Sequence, residues 1–367
     1  MKWSWKIAKV AGIEVSIHAT FLLLLGWIGI SAWMTDRSLA SVGSNIGFIL
    51  ALFGCVLLHE LGHALTARKY GIKTRDITLL PIGGVARLER MPEEPRQELQ
   101  VALAGPLVNV VITILLLAVL FLTGGITTLA DLNLQSSSFL VRLTMVNLSL
   151  ALFNLIPAFP MDGGRVVRAL LATRMEYTRA TQTAATLGQL IAFGLGFIGL
   201  FSNPFLIFIA LFVWIGAAQE SSMVQVKSAL GGIPVNRAML TNFVTLAPTN
   251  RLQTAVDQIL AGTQQDFPVV LEGRVVGILT RQALMAGLSR DGAYANVASA
   301  MQREFETADS IEMLDVVAQR LREQPLHTMP VVHNGELVGL VTMDNVGEFL
   351  MIQTALEQSR AQRPQVG

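Results

Sequence analysis

The residues His59-Glu60-Leu61-Gly62-His63 could do metal chemistry. Two histidines four apart on a helix face the same way, so both imidazoles can reach one ion. Zinc suits them, with its usual histidine distance of about 2.0–2.1 Å. Glu60 lies about 100° around the helix from His59, since a turn takes 3.6 residues. It can take a proton from water beside the metal, which is the chemistry of metal-assisted hydrolysis. Residues 45–67 around the motif are mostly apolar and include Phe48, Ile49, Leu50, Leu52, Phe53, Val56, Leu57 and Leu58. Ionisable groups are costly in hydrocarbon and are read first as functional. Together the motif and its setting imply hydrolysis of a peptide bond within a bilayer. The same pair would also suit histidines bonded to backbone or water inside a helical bundle.

A catalytic zinc takes a third protein ligand and keeps one position open. His18 begins an earlier apolar stretch, and His327 and His333 fall in a polar C-terminal region. Asp162 is the better candidate. It lies in Asn154-Leu155-Ile156-Pro157-Ala158-Phe159-Pro160-Met161-Asp162-Gly163-Gly164-Arg165. Pro157 and Pro160 break a helix, and Gly163-Gly164 permit a tight reversal. Broken backbone at membrane depth is tolerated where it lines a wet cavity or is buried in protein. An ordinary Pro/Gly loop at the membrane surface would read the same way.

These residues need a membrane scaffold to hold them. The chain has 367 residues, of which 52% are hydrophobic and 14% charged. Soluble domains hold about 25% charged residues, so most of this chain belongs in a membrane. A net charge of +1 gives no reason to expect nucleic acid as a partner. Six apolar stretches near the length of about 20 residues needed for a span are predicted at 17–35, 45–67, 100–123, 139–158, 182–201 and 204–220. Basic residues cluster before the first stretch (Lys2, Lys6, Lys9), after the second (Arg68 to Arg96) and after the fourth (Arg165 to Arg179). The opposite side holds Arg37, with Arg142 just inside the fourth stretch. The asymmetry puts both termini in the cytoplasm of a multi-pass plasma-membrane protein. Trp3 and Trp5 among the N-terminal lysines suit an interfacial anchor rather than a cleaved signal. His18 reads as a cap of the first span or a contact with the lipid interface. The single cysteine, Cys55, reads as a packing residue.

Between the second and third stretches, 72–79 and 85–89 are β-prone, with Gly83-Gly84 as their turn. Beyond Ala218 the composition becomes that of a soluble domain, with 229–232 as a linker. A repeat follows at an offset of 62 residues. Phe267-Pro268-Val269-Val270 recurs as Met329-Pro330-Val331-Val332, and Val276-Gly277-Ile278-Leu279-Thr280 as Val338-Gly339-Leu340-Val341-Thr342. A gapless offset marks a duplicated unit. Each copy reads helix, strand, strand, helix.

With these motifs the chain resembles the site-2 protease family of intramembrane zinc metalloproteases (peptidase family M50). It is similar in particular to the prokaryotic group with C-terminal tandem CBS repeats. The resemblance covers nearly the whole chain. It implies one catalytic Zn2+ held by His59, His63 and Asp162, with Glu60 as general base. It also implies that Asn154 hydrogen-bonds the scissile carbonyl as it becomes an oxyanion, a contribution of about 2.7–4 kcal/mol. Ala104-Gly105-Pro106-Leu107-Val108-Asn109 is a third family-like element whose small residues suit close helix contact near the site, with Asn109 packing there or supporting a ligand rather than being one. CBS pairs often bind adenine nucleotide between the copies, which implicates Thr280 and Thr342. The usual Asp three residues after the Thr is replaced by Ala283 and Asn345.

The expected fold is a polytopic α-helical membrane protein of about six transmembrane helices with a small β insert, followed by an α/β tandem CBS domain. Expected boundaries are 1–228 for the protease, 233–290 and 291–352 for the repeats, and 353–367 for a fraying tail. Expected partners are single-span membrane substrates, the lipid bilayer, adenine nucleotide and a second copy through the CBS pair. The alternative class is a CBS-regulated transporter or channel with His and Asp lining its path. Such a path has no need of a glutamate beside a His-x₃-His pair.

Overall fold

The structure, a computed structural model, describes residues 3–126, 128, 138–324 and 326–361. The chain forms two compact units, Met1–Val224 and Gln225–Gly367.

The first unit opens with strands β1 (Ser4–Val10) and β2 (Ile13–His18), then helices α1 (Ala19–Asp36) and α2 (Leu39–Lys69). Strands β3 (Thr74–Leu80) and β4 (Gly83–Leu88) follow, then α3 (Pro95–Leu122), α4 (Phe139–Asn154) and α5 (Asp162–Ala172). Helices α6 (Tyr177–Phe201) and α7 (Phe205–Leu230) close it, α7 running on into the second unit. Among the described residues, α1, α2, α3, α6 and α7 are long and apolar enough to cross a membrane. Their outward faces carry exposed Leu23, Trp27, Phe193, Phe197 and Phe208, as lipid contact requires. The fourth expected span differs. It is a helix of 16 residues, about 24 Å long against a hydrocarbon core of about 30 Å. The chain leaves the helix at Leu155, ahead of Pro157 and Pro160, so the stretch 139–158 is only partly helical.

Side-chain chemistry sets the helix starts. His18 caps α1, its Nδ1 accepting from the Thr20 amide at 3.4 Å. Glu94 caps α3, with Pro95 at the first helical position where a missing N–H costs nothing. Cys55 is buried with Phe48 and Leu143, as packing predicts.

The sheet runs β1-β2-β3-β4, with β2 and β3 parallel and the outer pairs antiparallel. The N-terminal segment is thus half of a hairpin, turned at Ala11-Gly12 with φ of 50° and 87°. Its pairing was not legible because Trp3, Trp5 and Ile7 remain exposed, so β1 lacks the burial that marks a strand. In the insert the turn falls at Pro81-Ile82, and Gly83-Gly84 lie inside β4.

The second unit contains α8 (Leu252–Ala261), β5 (Phe267–Leu271), β6 (Arg274–Leu279) and α9 (Arg281–Asp291). It continues with β7 (Ala308–Asp309), α10 (Leu314–Glu323), β8 (Thr328–His333), β9 (Glu336–Thr342) and α11 (Met343–Ala361). The 62-residue offset holds in the hydrogen-bond register. Val269 faces Gly277 as Val331 faces Gly339, and each strand bulges at the next residue. Both hairpins turn on two residues of positive φ, Glu272-Gly273 and Asn334-Gly335, which matches the twist of the paired strands.

Two expectations are corrected here. Residues 229–232 are no free linker, because α7 continues to Leu230, which is buried in a core with Leu314, Leu321 and Val331. The tail expected to fray from 353 is helical to Ala361, and 362–367 lies outside the described residues.

Candidate metal centre

His59, Glu60 and His63 occupy consecutive turns of α2, and Asp162 is the first residue of α5. Both histidines and Asp162 are buried, at 6%, 5% and 7% exposure. Nε2 of His63 lies 3.1 Å from Nε2 of His59 and 3.1 Å from Oδ2 of Asp162. His59 Nε2 closes the triangle at 3.2 Å from the same oxygen.

This donor set fits a zinc ion. The edge of a tetrahedron drawn with zinc–nitrogen bonds of about 2.0–2.1 Å is about 3.3–3.4 Å, close to the observed sides. His63 Nδ1 donates to the carbonyl of Val101 at 2.7 Å, which fixes its proton there and turns the Nε2 lone pair inward. Lone pairs that converge in a buried space are satisfied by a cation placed between them. Two imidazoles and one carboxylate also leave a fourth tetrahedral position, as a catalytic site needs.

Glycines bring the elements this close. A Cβ on Gly62 would sit 2.8 Å from the Ala104 carbonyl, so α2 and α3 touch backbone to side there. A Cβ on Gly105 would lie 2.7 Å from His59 Nε2 and closer still to His63 Nε2. Gly163 and Gly164 do not reverse the chain as expected. They are helical, and each lacks a Cβ because the 155–161 loop folds back over the start of α5. A side chain on Gly163 would meet the carbonyls of Leu155 and Ile156.

Glu60 is half-buried beside the triangle. Its Oε2 accepts the Ala86 amide of β4 at 3.2 Å, and Gly84 on that strand leaves room for its Cγ. Asn154 ends α4, half-buried, and its side chain makes no hydrogen bond among the described residues. Asn109 is buried on α3, its backbone carbonyl accepts Asn147 Nδ2 at 2.7 Å, and it is not among the atoms that converge at the centre.

In the second unit, a cleft of about 1040 Å³ is lined by Thr280 and Thr342 together with Asp266, Arg281, His327 and Asp344. Both threonine hydroxyls already have structural partners. Thr280 Oγ1 accepts the Ala283 amide at 3.1 Å, and Thr342 Oγ1 lies 2.6 Å from Asn345 Oδ1.

Of the supporting groups, the small residues around Gly105 suit close helix contact near the site, and the structure sets that glycine against both imidazoles. Val101 acts through its backbone, so its side chain carries no signal. Gly84 was read as a turn.

The profile of peptidase family M50 matches residues 47–135 and 125–195, and that of the CBS domain matches 235–290 and 297–351. The zinc metalloprotease MJ0392 of Methanocaldococcus jannaschii is 40% identical over 281 residues, 76% of this chain and 78% of the relative. The protein sll0528 of Synechocystis is 29% identical over 95% of this chain and 96% of its own. Among solved structures, a site-2 protease from Methanocaldococcus jannaschii is 41% identical with a TM-score of 0.44, over 60% of this chain and 95% of that one. The CBS domain of a bacterial CNNM/CorC family Mg2+ transporter in complex with ATP is 22% identical with a TM-score of 0.32, over 36% and 97%. The chain is a multi-pass membrane zinc metalloprotease with a CBS pair and belongs to peptidase family M50.

Proposed function

We propose that this protease hydrolyses peptide bonds within or near transmembrane segments of membrane-anchored, single-span proteins. One observation carries the reading. Three buried ligand atoms converge within 3.2 Å of one another beside Glu60, two of them on a helix long enough to span a bilayer. His59, His63 and Asp162 would hold the ion. When bound, zinc acidifies water and polarises the scissile carbonyl. Glu60 takes the water's proton and returns it to the leaving amine. Asn154, whose amide makes no hydrogen bond among the described residues, would donate to the carbonyl oxygen as charge develops. A substrate helix must unwind locally first, because its carbonyls are held in internal hydrogen bonds.

The test is removal of the metal. Purified full-length protein should cleave a single-span substrate in detergent and stop when a zinc chelator is added. It should recover when zinc is returned in slight excess. Cleavage that continues in a metal-stripped sample overturns the assignment.

Both termini are proposed to be cytoplasmic, from the basic flanks of the spans, with protease at 1–228 and repeats at 233–290 and 291–352. Adenine nucleotide is the proposed ligand of the cleft between the repeats, read by polar groups such as Arg281 and His327 rather than by the usual aspartates. Calorimetric titration of the full chain with AMP, ADP and ATP should give saturable heat for at least one. No heat from any of the three rejects the assignment. A homodimer through the CBS pair is likewise proposed, and a monomeric mass by light scattering in detergent rejects it.

A further inference from the structure

Six residues beyond Asp162 on α5, Arg168 is 1% exposed, and its guanidinium is enclosed on all sides by groups from other elements. Its Nε donates to Glu98 Oε1 at 2.7 Å, on the first turn of α3. Its Nη1 donates to Glu220 Oε1 at 2.5 Å, on α7. The rings of Phe159 and Tyr177 each lie 5.1 Å from the guanidinium carbon. A charged side chain without water is retained only where it is paired, and a fork of donors fixes direction as well as distance.

What these bonds connect is the metal centre's own support. Glu98 is three residues before Val101, whose carbonyl holds His63 Nδ1, and seven before Gly105, which faces both imidazoles. Arg168 is six residues, about 9 Å of helix, beyond Asp162. The Glu98–Arg168 bond therefore joins the helix that orients His63 to the helix that presents Asp162. The loop 155–161 adds constraint from the other side, since Phe159 packs on the same guanidinium.

We propose that Arg168 is a positioning residue for the metal centre. With Glu98 and Glu220 it sets α5 against α3 and α7, and so sets the separation of Asp162 from the two histidines. The proposal rests on the metal-binding reading of His59, His63 and Asp162, but its first measurement needs no metal.

The experiment uses the full chain in detergent, comparing Arg168→Lys and Arg168→Met with wild type. In metal-free protein, hydrogen exchange of the α5 amides should quicken about tenfold in Arg168→Met, with α6 unchanged. In loaded protein, zinc should be lost to a chelator about tenfold faster, within the 10–100-fold range typical of lost supporting contacts. The cobalt-substituted form should show an altered visible absorption band. Arg168→Lys, which keeps the charge and loses the fork, should fall between. In the cleavage assay kcat should drop while KM stays within about twofold, because no substrate contact is touched. A purely structural residue would speed exchange across all helices and leave the cobalt band unmoved, and that result overturns the proposal. If Arg168→Met does not fold, Glu220→Gln removes the more exposed arm and should shift zinc loss and the cobalt band in the same direction. Wild-type values there overturn the proposal as well. Wild-type protein that holds no zinc at all would defeat the metal reading, while the metal-free exchange still decides the role of Arg168.

Discussion

Glu60→Gln is expected to keep zinc and to lose about a thousandfold in cleavage rate. General acid–base catalysis by a placed side chain contributes about 10²–10⁴-fold, and Glu60 is the proposed base. The glutamine is isosteric. Its carbonyl oxygen can still accept the Ala86 amide, now met by Glu60 Oε2 at 3.2 Å, so β4 should stay where it is. The three atoms that could hold the metal belong to His59, His63 and Asp162, so the sides of their triangle should be unaffected. What disappears is a group that can take a proton from water and give it to a leaving amine. Zinc content by mass spectrometry should therefore remain near one per chain, while turnover of a single-span substrate collapses. Full activity in this variant would remove Glu60 from the mechanism. Loss of zinc would instead make Glu60 part of the coordination.

The chemistry at this centre was legible because it is local in sequence. His59, Glu60 and His63 sit on one helix, and a four-residue spacing fixes their relative direction without any tertiary information. Asp162 was legible for another reason: prolines and glycines announce irregular backbone where an apolar run should continue. The repeats were legible because duplication leaves a fixed offset, and the register Val269–Gly277 and Val331–Gly339 reproduces it. What could not be read is what depends on approach between distant segments. The Val101 carbonyl reaches His63 through a peptide group that any residue carries. Nothing in the sequence around Glu98 marks it out, and only the fold brings Arg168 to it. Strand β1 went unread because pairing with β2 satisfies its backbone while its side chains stay exposed. The fourth span was overextended because composition continues to be apolar past Asn154, whereas helix geometry ends there.

Gly105→Ala should leave the fold and remove the metal. Alanine is the better helix former, by about 0.8–1 kcal/mol per position, so α3 itself gains from the change. The cost falls on the centre. The added Cβ would stand 2.7 Å from His59 Nε2 and nearer still to His63 Nε2, in the space where the ligand atoms converge. Neither imidazole has an easy retreat. Both are buried, and His63 is tied through Nδ1 to Val101 on the same helix as the new methyl group. Nor can α3 withdraw freely, because Gly62 of α2 lies against the Ala104 carbonyl one residue away. A displacement of about 1 Å at reacting groups can cost about 10²-fold in rate, and here the displaced groups are the proposed ligands themselves. Zinc retention should fall at least about tenfold and cleavage about a hundredfold or more, with helix content by circular dichroism unchanged. Gly54→Ala is the control. It lies on α2 with nothing within 4 Å of its added Cβ, so it should retain both zinc and activity. If Gly105→Ala also retains both, α3 does not press against the imidazoles and the triangle is not closed by that helix.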